Sequence, residues 1–130
     1  MRFGDKAVRT ILDQLKSRNA LLRTSALTMA VSMRGQNESV SPLRIREMLQ
    51  SPLTDPVAVV RSHAVNEIAC LDDREDFVPL LEKLAKTDPV HWKGREDDGV
   101  DGDQFYPVRF DARRALGEIQ NNQLCSWRKY

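Results

Sequence analysis

The chain has 130 residues, of which 41% are hydrophobic and 30% are charged, and its formal net charge is +1 at pH 7. This length fits one domain and is too short for two, and the composition is that of an ordinary soluble globular protein. Most apolar residues are Leu, Val, Ala, Ile and Met, which favours helices over a β-sandwich, and no window approaches the length needed to span a bilayer.

Apolar residues spaced as one face of a helix predict six helices, two in each of the ranges 5–35, 41–72 and 74–121. Asp5 is the expected N-cap of the first helix, and Gly35 is the expected end of the second. No segment has a competing strand pattern, so the predicted fold class is all-α.

Proline and polar caps mark the later helix boundaries. Asp55-Pro56 opens the fourth helix, because an aspartate can cap a helix and proline suits its first turn. Asp76 is the expected cap of the fifth helix, whose first turn would then contain Pro79. Residues 88–106 lack helical periodicity and are predicted to be an inserted loop, after which the sixth helix begins near Pro107.

The second, fourth and sixth helices repeat one sequence template. Three arginines align, each followed three positions later by an alanine: Arg23, Arg61 and Arg109, with Ala26, Ala64 and Ala112. An alanine at this position lets the two helices of a pair approach closely, so we expect these alanines in the seam between them. The arginine is too long and too charged for the core, and we expect it to pair with an acidic residue such as the aspartate six positions earlier. That residue is Asp55 for Arg61 and Asp103 for Arg109, whereas Ser17 takes the place before Arg23.

The segments 55–71 (DPVAVVRSHAVNEIACL) and 103–119 (DQFYPVRFDARRALGEI) resemble HEAT repeats, in particular the short HEAT-like repeats of phycobilisome lyases. The resemblance implies an α-solenoid of three antiparallel helix pairs that forms a single domain over residues 1–130. It also implies a structural ladder between successive repeats, made of Asp55, Arg61, Asp103 and Arg109, with Arg23 in the first repeat. Such repeats serve many unrelated partners, so the resemblance carries more weight for fold than for function.

The sequence shows no arrangement typical of a catalytic or metal site, and we expect a protein without enzymatic activity or cofactor. His63 is interpreted as a surface or boundary residue, and neither histidine of the chain makes a convincing triad. The acidic residues of the inserted loop do not have the spacing of a helix-loop-helix calcium site. Cys70 and Cys125 are predicted to be free thiols in a reducing compartment, and the absence of an apolar N-terminal run favours a cytoplasmic location.

We expect a partner to bind the sides of the second helices that face away from the predicted core, together with the inserted loop. The candidate partner-binding residues are Thr28, Ser62, Asn66, Trp92, Phe110 and Arg114. Phe110 beside Arg114 resembles an interface anchor, because aromatic residues and arginine are enriched in binding hot spots. The alternatives are that the preceding loop covers Phe110 and that Trp92 folds back over the core.

Charge is spread unevenly along the chain. Residues 1–50 carry nine Lys/Arg against four Asp/Glu, residues 51–103 six against thirteen, and residues 104–130 five against two. An acidic middle with basic ends argues against nucleic acid as the partner, because nucleic-acid binders more often carry a continuous basic stripe.

These charges favour a non-catalytic protein-binding module: a scaffold, a regulator or an inhibitor of the immunity-protein type. Its concave helix face and acidic loop would meet a protein of basic character. Two alternatives stay open from the resemblance, namely an accessory subunit of a bilin lyase-type complex and nucleic-acid binding as in HEAT-like DNA glycosylases.

Overall fold

The computed structural model describes residues 3–36, 42–93 and 104–126, and these are mostly helical. The helices are α1 (Phe3–Leu15), α2 (Ala20–Gln36), α3 (Pro42–Leu53), α4 (Ala58–Ile68), α5 (Val78–Thr87) and α6 (Pro107–Gln120). A 3-10 helix, Arg74–Phe77, leads into α5, and two short strands, β1 (Trp92–Lys93) and β2 (Gln104–Phe105), lie between α5 and α6. Within these ranges no helix combines the length and apolar character that crossing a membrane requires.

The segment between α5 and α6 lies where the inserted loop was predicted, but the expectation that it contains no strand is wrong. β1 and β2 pair antiparallel, with Trp92 opposite Phe105 and Lys93 opposite Gln104. The Trp92 and Phe105 rings contact across this ladder, with centroids 5.5 Å apart, and cross-strand aromatic pairs stabilise such ladders. Strands of two residues are too short to produce an alternating pattern that sequence periodicity can detect.

Three predicted helix caps are not used as caps. α1 begins at Phe3, so Asp5 lies inside this helix. Asp55 does not cap α4, because Val57 is the N-cap and has no side-chain cap hydrogen bond. Asp76 belongs to the 3-10 helix, and Phe77 occupies the N-cap of α5 without a side-chain hydrogen bond. Phe77 is buried in the core, and this packing outweighs a local capping preference of about 1 kcal/mol.

The helices of each pair pack together, α1 with α2, α3 with α4 and α5 with α6, and α3 also contacts α2. The second helices of the three pairs form a row in which α2 contacts α4 and α4 contacts α6. Ala26, Ala64 and Ala112 are fully buried, as predicted. Ala64 and Ala112 share one core cluster with larger buried side chains, among them Leu27, Val60, Val65, Ile68 and Leu81, whereas Ala26 packs with Ile11, Ala30 and Met48. The small alanines allow the close approach, and the longer residues provide most of the buried apolar area.

The chain turns back sharply after α6. Asn122 has a φ of 52°, a left-handed conformation that asparagine tolerates better than most residues. Leu124 is 87% exposed, whereas its neighbour Cys125 packs against the core.

Cys70 and Cys125 form a disulfide bond, so the prediction of two free thiols is wrong. Their Cα atoms are 5.1 Å apart although 55 residues separate them in the chain. Cysteine count and spacing could not show that the chain after α6 returns to the end of α4. Because disulfides persist mainly in oxidising compartments, the free-thiol argument for a cytoplasmic location no longer applies.

Candidate functional site

A bidentate ion pair joins the first helix pair to the second. Arg23 in α2 donates from Nε to Asp55 Oδ2 at 2.7 Å and from Nη2 to Asp55 Oδ1 at 3.0 Å. Nη1 of the same arginine donates to the Ser17 carbonyl at 2.8 Å. Asp55 is 9% exposed, and its Oδ1 also accepts the Val57 amide at 2.9 Å. The Asp55 carboxylate therefore links α2, through Arg23, to Val57 at the start of α4.

The same arrangement recurs one helix pair later. Arg61 in α4 donates from Nε to Asp88 Oδ2 at 2.6 Å and from Nη2 to Asp88 Oδ1 at 3.1 Å. Nη1 of Arg61 donates to the Asp55 carbonyl at 2.7 Å. The Arg61 and Asp88 side chains are 9% and 2% exposed, so this ion pair is buried. Loss of either partner would leave an uncompensated charge out of water.

Asp88 is related to Arg109 as Asp55 is related to Arg61. Arg109 donates from Nε to the Asp88 carbonyl at 2.7 Å, and Arg61 donates from Nη1 to the Asp55 carbonyl. Sequence spacing did not indicate Asp88, because the inserted segment separates it from Arg109. Asp103 lies outside the described residues, so its pairing with Arg109 stays a prediction.

A sequence signal for Asp88 was available. The tripeptide Asp-Pro-Val occurs at 55–57 and again at 88–90, and in both copies the aspartate Oδ1 accepts the amide two residues later, at 2.9 and 3.2 Å. The inserted segment therefore divides the third unit between its aspartate and its arginine. We call the resulting chain of contacts the arginine ladder, and it consists of Arg23, Asp55, Arg61, Asp88 and Arg109.

A polar contact joins α2 to α4 on the predicted binding face. Thr28 Oγ1 lies 2.8 Å from His63 Nε2, and Glu67 Oε1 lies 3.6 Å from the same nitrogen. Burial lowers the pKa of His63, and the neighbouring Glu67 carboxylate opposes this shift. In a catalytic triad the acid holds the ring nitrogen that does not contact the nucleophile. Thr28 and Glu67 both contact Nε2 of His63, and this arrangement differs from that of a triad.

Between α4 and α6 the same face carries a second set of polar contacts. The Arg114 Nη2 atom donates to Asn66 Oδ1, and it also lies 3.5 Å from Asp111 Oδ1. Burial raises the pKa of Asp111, while Arg114 and a hydrogen bond with Ser62 act in the opposite direction. Asn66 is only 6% exposed, so the expectation that it faces solvent is wrong. Its side-chain amide oxygen accepts the hydrogen bond from Arg114 between the closely packed helices α4 and α6.

Three aromatic side chains form what we call the aromatic cluster: Trp92, Phe105 and Phe110. Phe105 lies between the other two, and each pair of neighbouring ring centroids is 5.5 Å apart in a tilted arrangement. Such geometry is favourable beyond simple area burial. Trp92 remains 51% exposed and Phe110 54% exposed, so the inserted segment contacts Phe110 without covering it. Sequence reasoning missed Phe105, the residue that unites the cluster.

The inserted segment is fixed to the arginine ladder beside this cluster. The Arg109 guanidinium lies 3.9 Å from the centre of the Tyr106 ring, a cation–π contact. Tyr106 also contacts the His91 ring, with centroids 5.1 Å apart. Because Arg109 holds both Tyr106 and the Asp88 carbonyl, the ladder positions the neighbours of Trp92 and Phe105.

The predicted partner-binding residues thus separate into two groups. Trp92 and Phe110 lie together and are exposed, whereas Thr28, Ser62 and Arg114 are partly buried and contact neighbouring helices. Among the residues that the structure describes, no group of three or more His, Cys, Asp or Glu is placed to hold a metal ion. We find no protein family, curated protein or solved structure with significant similarity to the chain.

Proposed function

We propose that this chain is a non-catalytic, HEAT-like helical-repeat module that binds another protein, with the aromatic cluster at the centre of the interface. The observation that carries the proposal is that Trp92 and Phe110 both remain more than half exposed while Phe105 holds them together. Large aromatic residues that are preorganised at a surface are the usual anchors of protein interfaces, because they bury much area at little entropic cost.

The arginine ladder supports the HEAT-like part of the proposal. Asp55 accepts the preceding arginine with its carboxylate and the following arginine with its carbonyl, and Asp88 does the same. A contact between the same residue types that recurs once per helix pair is typical of repeat proteins, in which each unit contacts mainly its neighbours. The row formed by α2, α4 and α6 is compatible with three stacked helix pairs in a solenoid.

The partner that we propose is a protein with a basic surface, as an inhibitor of the immunity-protein type would require. Residues 51–103, which include the inserted segment up to β2, carry thirteen acidic against six basic residues. Opposite charges across an interface accelerate association and select among partners. Thr28, Ser62 and Arg114 would contribute polar contacts near the second helices, whereas the aromatic cluster would supply most of the affinity.

The test compares Trp92→Ala and Phe110→Ala with a matched control, Leu21→Ala, which removes a 74% exposed apolar side chain at the start of α2. Partners captured from a lysate of the source cells by the immobilised wild-type chain are identified, purified and titrated by calorimetry. We expect each aromatic variant to weaken Kd by about thirtyfold or more, equivalent to about 2 kcal/mol, and the control by less than about threefold. Circular dichroism establishes that all three variants are folded.

Equal affinity of both aromatic variants and the wild type would eliminate the aromatic cluster as the interface. Two further measurements address the other functions that the resemblance suggests. Retention on heparin at about 0.15 M salt would favour nucleic-acid binding, because phosphate-binding proteins carry a basic surface. An increase of bilin fluorescence on mixing would favour a role in a bilin lyase-type complex.

A further inference from the structure

The Cys70–Cys125 disulfide ties the C-terminal segment, residues 121–126, to the main body of the protein. Cys70 lies just after α4, whereas Cys125 lies in an irregular stretch five residues after the end of α6. The bond therefore connects a firmly packed part of the chain to a part that contains no regular element before Ser126.

Noncovalent contacts of this segment are few among the residues that the structure describes. The Gln123 amide donates to the Glu118 carbonyl at 2.8 Å, and the Ser126 amide donates to Glu118 Oε1 at 3.1 Å. Residues 121–124 are exposed, and Leu124 is 87% exposed. One residue of α6 thus provides both hydrogen bonds that hold the segment beyond the helix cap, and little apolar burial adds to them.

The disulfide is accessible from solvent. It borders a groove of about 600 Å³ that lies between the chain after α4 and the C-terminal segment. The groove is lined by residues 69–72, 74–75 and 122–125, and both cysteines belong to this lining. Both are also partly exposed, so an external thiolate can approach the bond along the groove.

The helices on either side pack together without help from the cysteines. Ala64 in α4 and Ala112 in α6 are fully buried, and the Arg61–Asp88 ion pair links α4 to the end of α5. Cys125 is only a partly buried neighbour of this core. Release of the C-terminal segment would therefore leave the main helix contacts in place.

We propose that the Cys70–Cys125 disulfide is a reducible latch that holds the C-terminal segment beside the chain after α4. An external dithiol reduces the bond: one thiolate attacks a cysteine sulfur, the S–S bond breaks, and a mixed disulfide forms. The second thiol of the reductant then displaces the protein sulfur. The reductant becomes a disulfide, and its two electrons and two protons convert Cys70 and Cys125 into thiols. Once released, the segment no longer forms its side of the groove.

A latch releases a segment of the folded chain when it is reduced, whereas a structural staple leaves the folded chain unchanged. Reduction should therefore change the unfolding equilibrium constant by different amounts in the two cases. Closing a loop of 55 residues in the unfolded chain alone changes the unfolding equilibrium constant by about a thousandfold. If reduction also frees about five residues of the folded chain, the bond restricts the folded state too, by the entropy of closing a loop of about five residues. This restriction offsets part of the effect on the unfolded chain, so reduction should change the unfolding equilibrium constant by only about thirtyfold.

The test begins with peptide mapping of the air-oxidised full chain, which should contain the Cys70–Cys125 cross-link. Hydrogen exchange and urea unfolding are then measured with and without dithiothreitol, which has no other cysteines to reduce in this chain. We expect the Gln123 and Ser126 amides to lose at least tenfold protection on reduction while amides of α4 and α6 stay protected. We expect the unfolding constant to change by about thirtyfold. Cys125→Ser is the matched control and should resemble the reduced protein with or without dithiothreitol.

Three results would each overturn the latch. The first is the absence of the cross-link in the oxidised chain. The second is unchanged protection of Gln123 and Ser126 after reduction, which would show that Glu118 holds the segment by itself. The third is an unfolding constant that changes by a thousandfold, which would identify the bond as a staple. Reduced wild-type protein supplies the same readouts if Cys125→Ser does not fold.

Discussion

Replacing Asp88 by alanine should destabilise the fold more than any other single truncation in the arginine ladder. The Asp88 side chain is 2% exposed and accepts two hydrogen bonds from Arg61, at 2.6 and 3.1 Å. Without this carboxylate, the buried guanidinium retains only the Asp55 carbonyl among its partners in the ladder. The Val90 amide also loses its acceptor.

The expected loss of unfolding free energy follows from the burial of this pair. Breaking a buried ion pair by removing one partner costs about 3–5 kcal/mol, because the remaining charge is left without compensation. For a domain of this size such a loss lowers the Tm by roughly 10–20 °C. Adding Arg61→Leu to Asp88→Ala should recover part of the loss, because the apolar side chain removes the uncompensated charge.

Urea unfolding followed by circular dichroism measures these differences, and Asp13→Ala is the matched control. Asp13 is an exposed aspartate of α1 that does not belong to the arginine ladder. We therefore expect Asp13→Ala to change the unfolding free energy by less than about 0.5 kcal/mol. A loss below about 1 kcal/mol in Asp88→Ala, or an equal loss in Asp13→Ala, would refute the role assigned to the buried ion pair.

Two further predictions concern the seam and the binding face. Ala112→Leu should destabilise the fold by about 1–3 kcal/mol in urea unfolding, because Ala112 is fully buried in the core; a neutral effect would show that the core has spare room there. Burial lowers the pKa of His63 from its ordinary value of 6.5, so the unfolded chain takes up the proton first as the pH falls. Between pH 7.5 and 5.5 the wild type should therefore lose stability relative to His63→Gln, by up to about 1.4 kcal/mol per pH unit, and parallel pH profiles of the two proteins would refute this.

The ladder and the aromatic cluster are structurally connected, which matters for the choice of variants. Arg109 contacts both the Asp88 carbonyl and the Tyr106 ring, next to Phe105. A ladder variant can therefore disturb the proposed interface indirectly. Trp92→Ala and Phe110→Ala are cleaner probes of binding, because both side chains are more than half exposed and neither belongs to the ladder.

The sequence by itself determined the features that depend on neighbours within a few turns of chain. Apolar spacing located all six helices and the break between α5 and α6, because helical periodicity is a local property. The recurring alanine correctly indicated the buried seam at Ala64 and Ala112, since only a small residue suits that close contact. Exposure of Phe110 also followed from its side of the helix.

Only the tertiary structure decided which distant residues meet. Asp88 pairs with Arg61, Cys70 bonds Cys125 across 55 residues, and Phe105 joins Trp92 to Phe110. Each contact depends on where the chain returns after an insertion or a turn, and helical periodicity does not show that path. The repeated Asp-Pro-Val tripeptide pointed to Asp88, but a spacing counted backwards across an insertion could not. Burial of Asn66 likewise depends on how closely α4 and α6 pack, which side-chain polarity alone does not reveal.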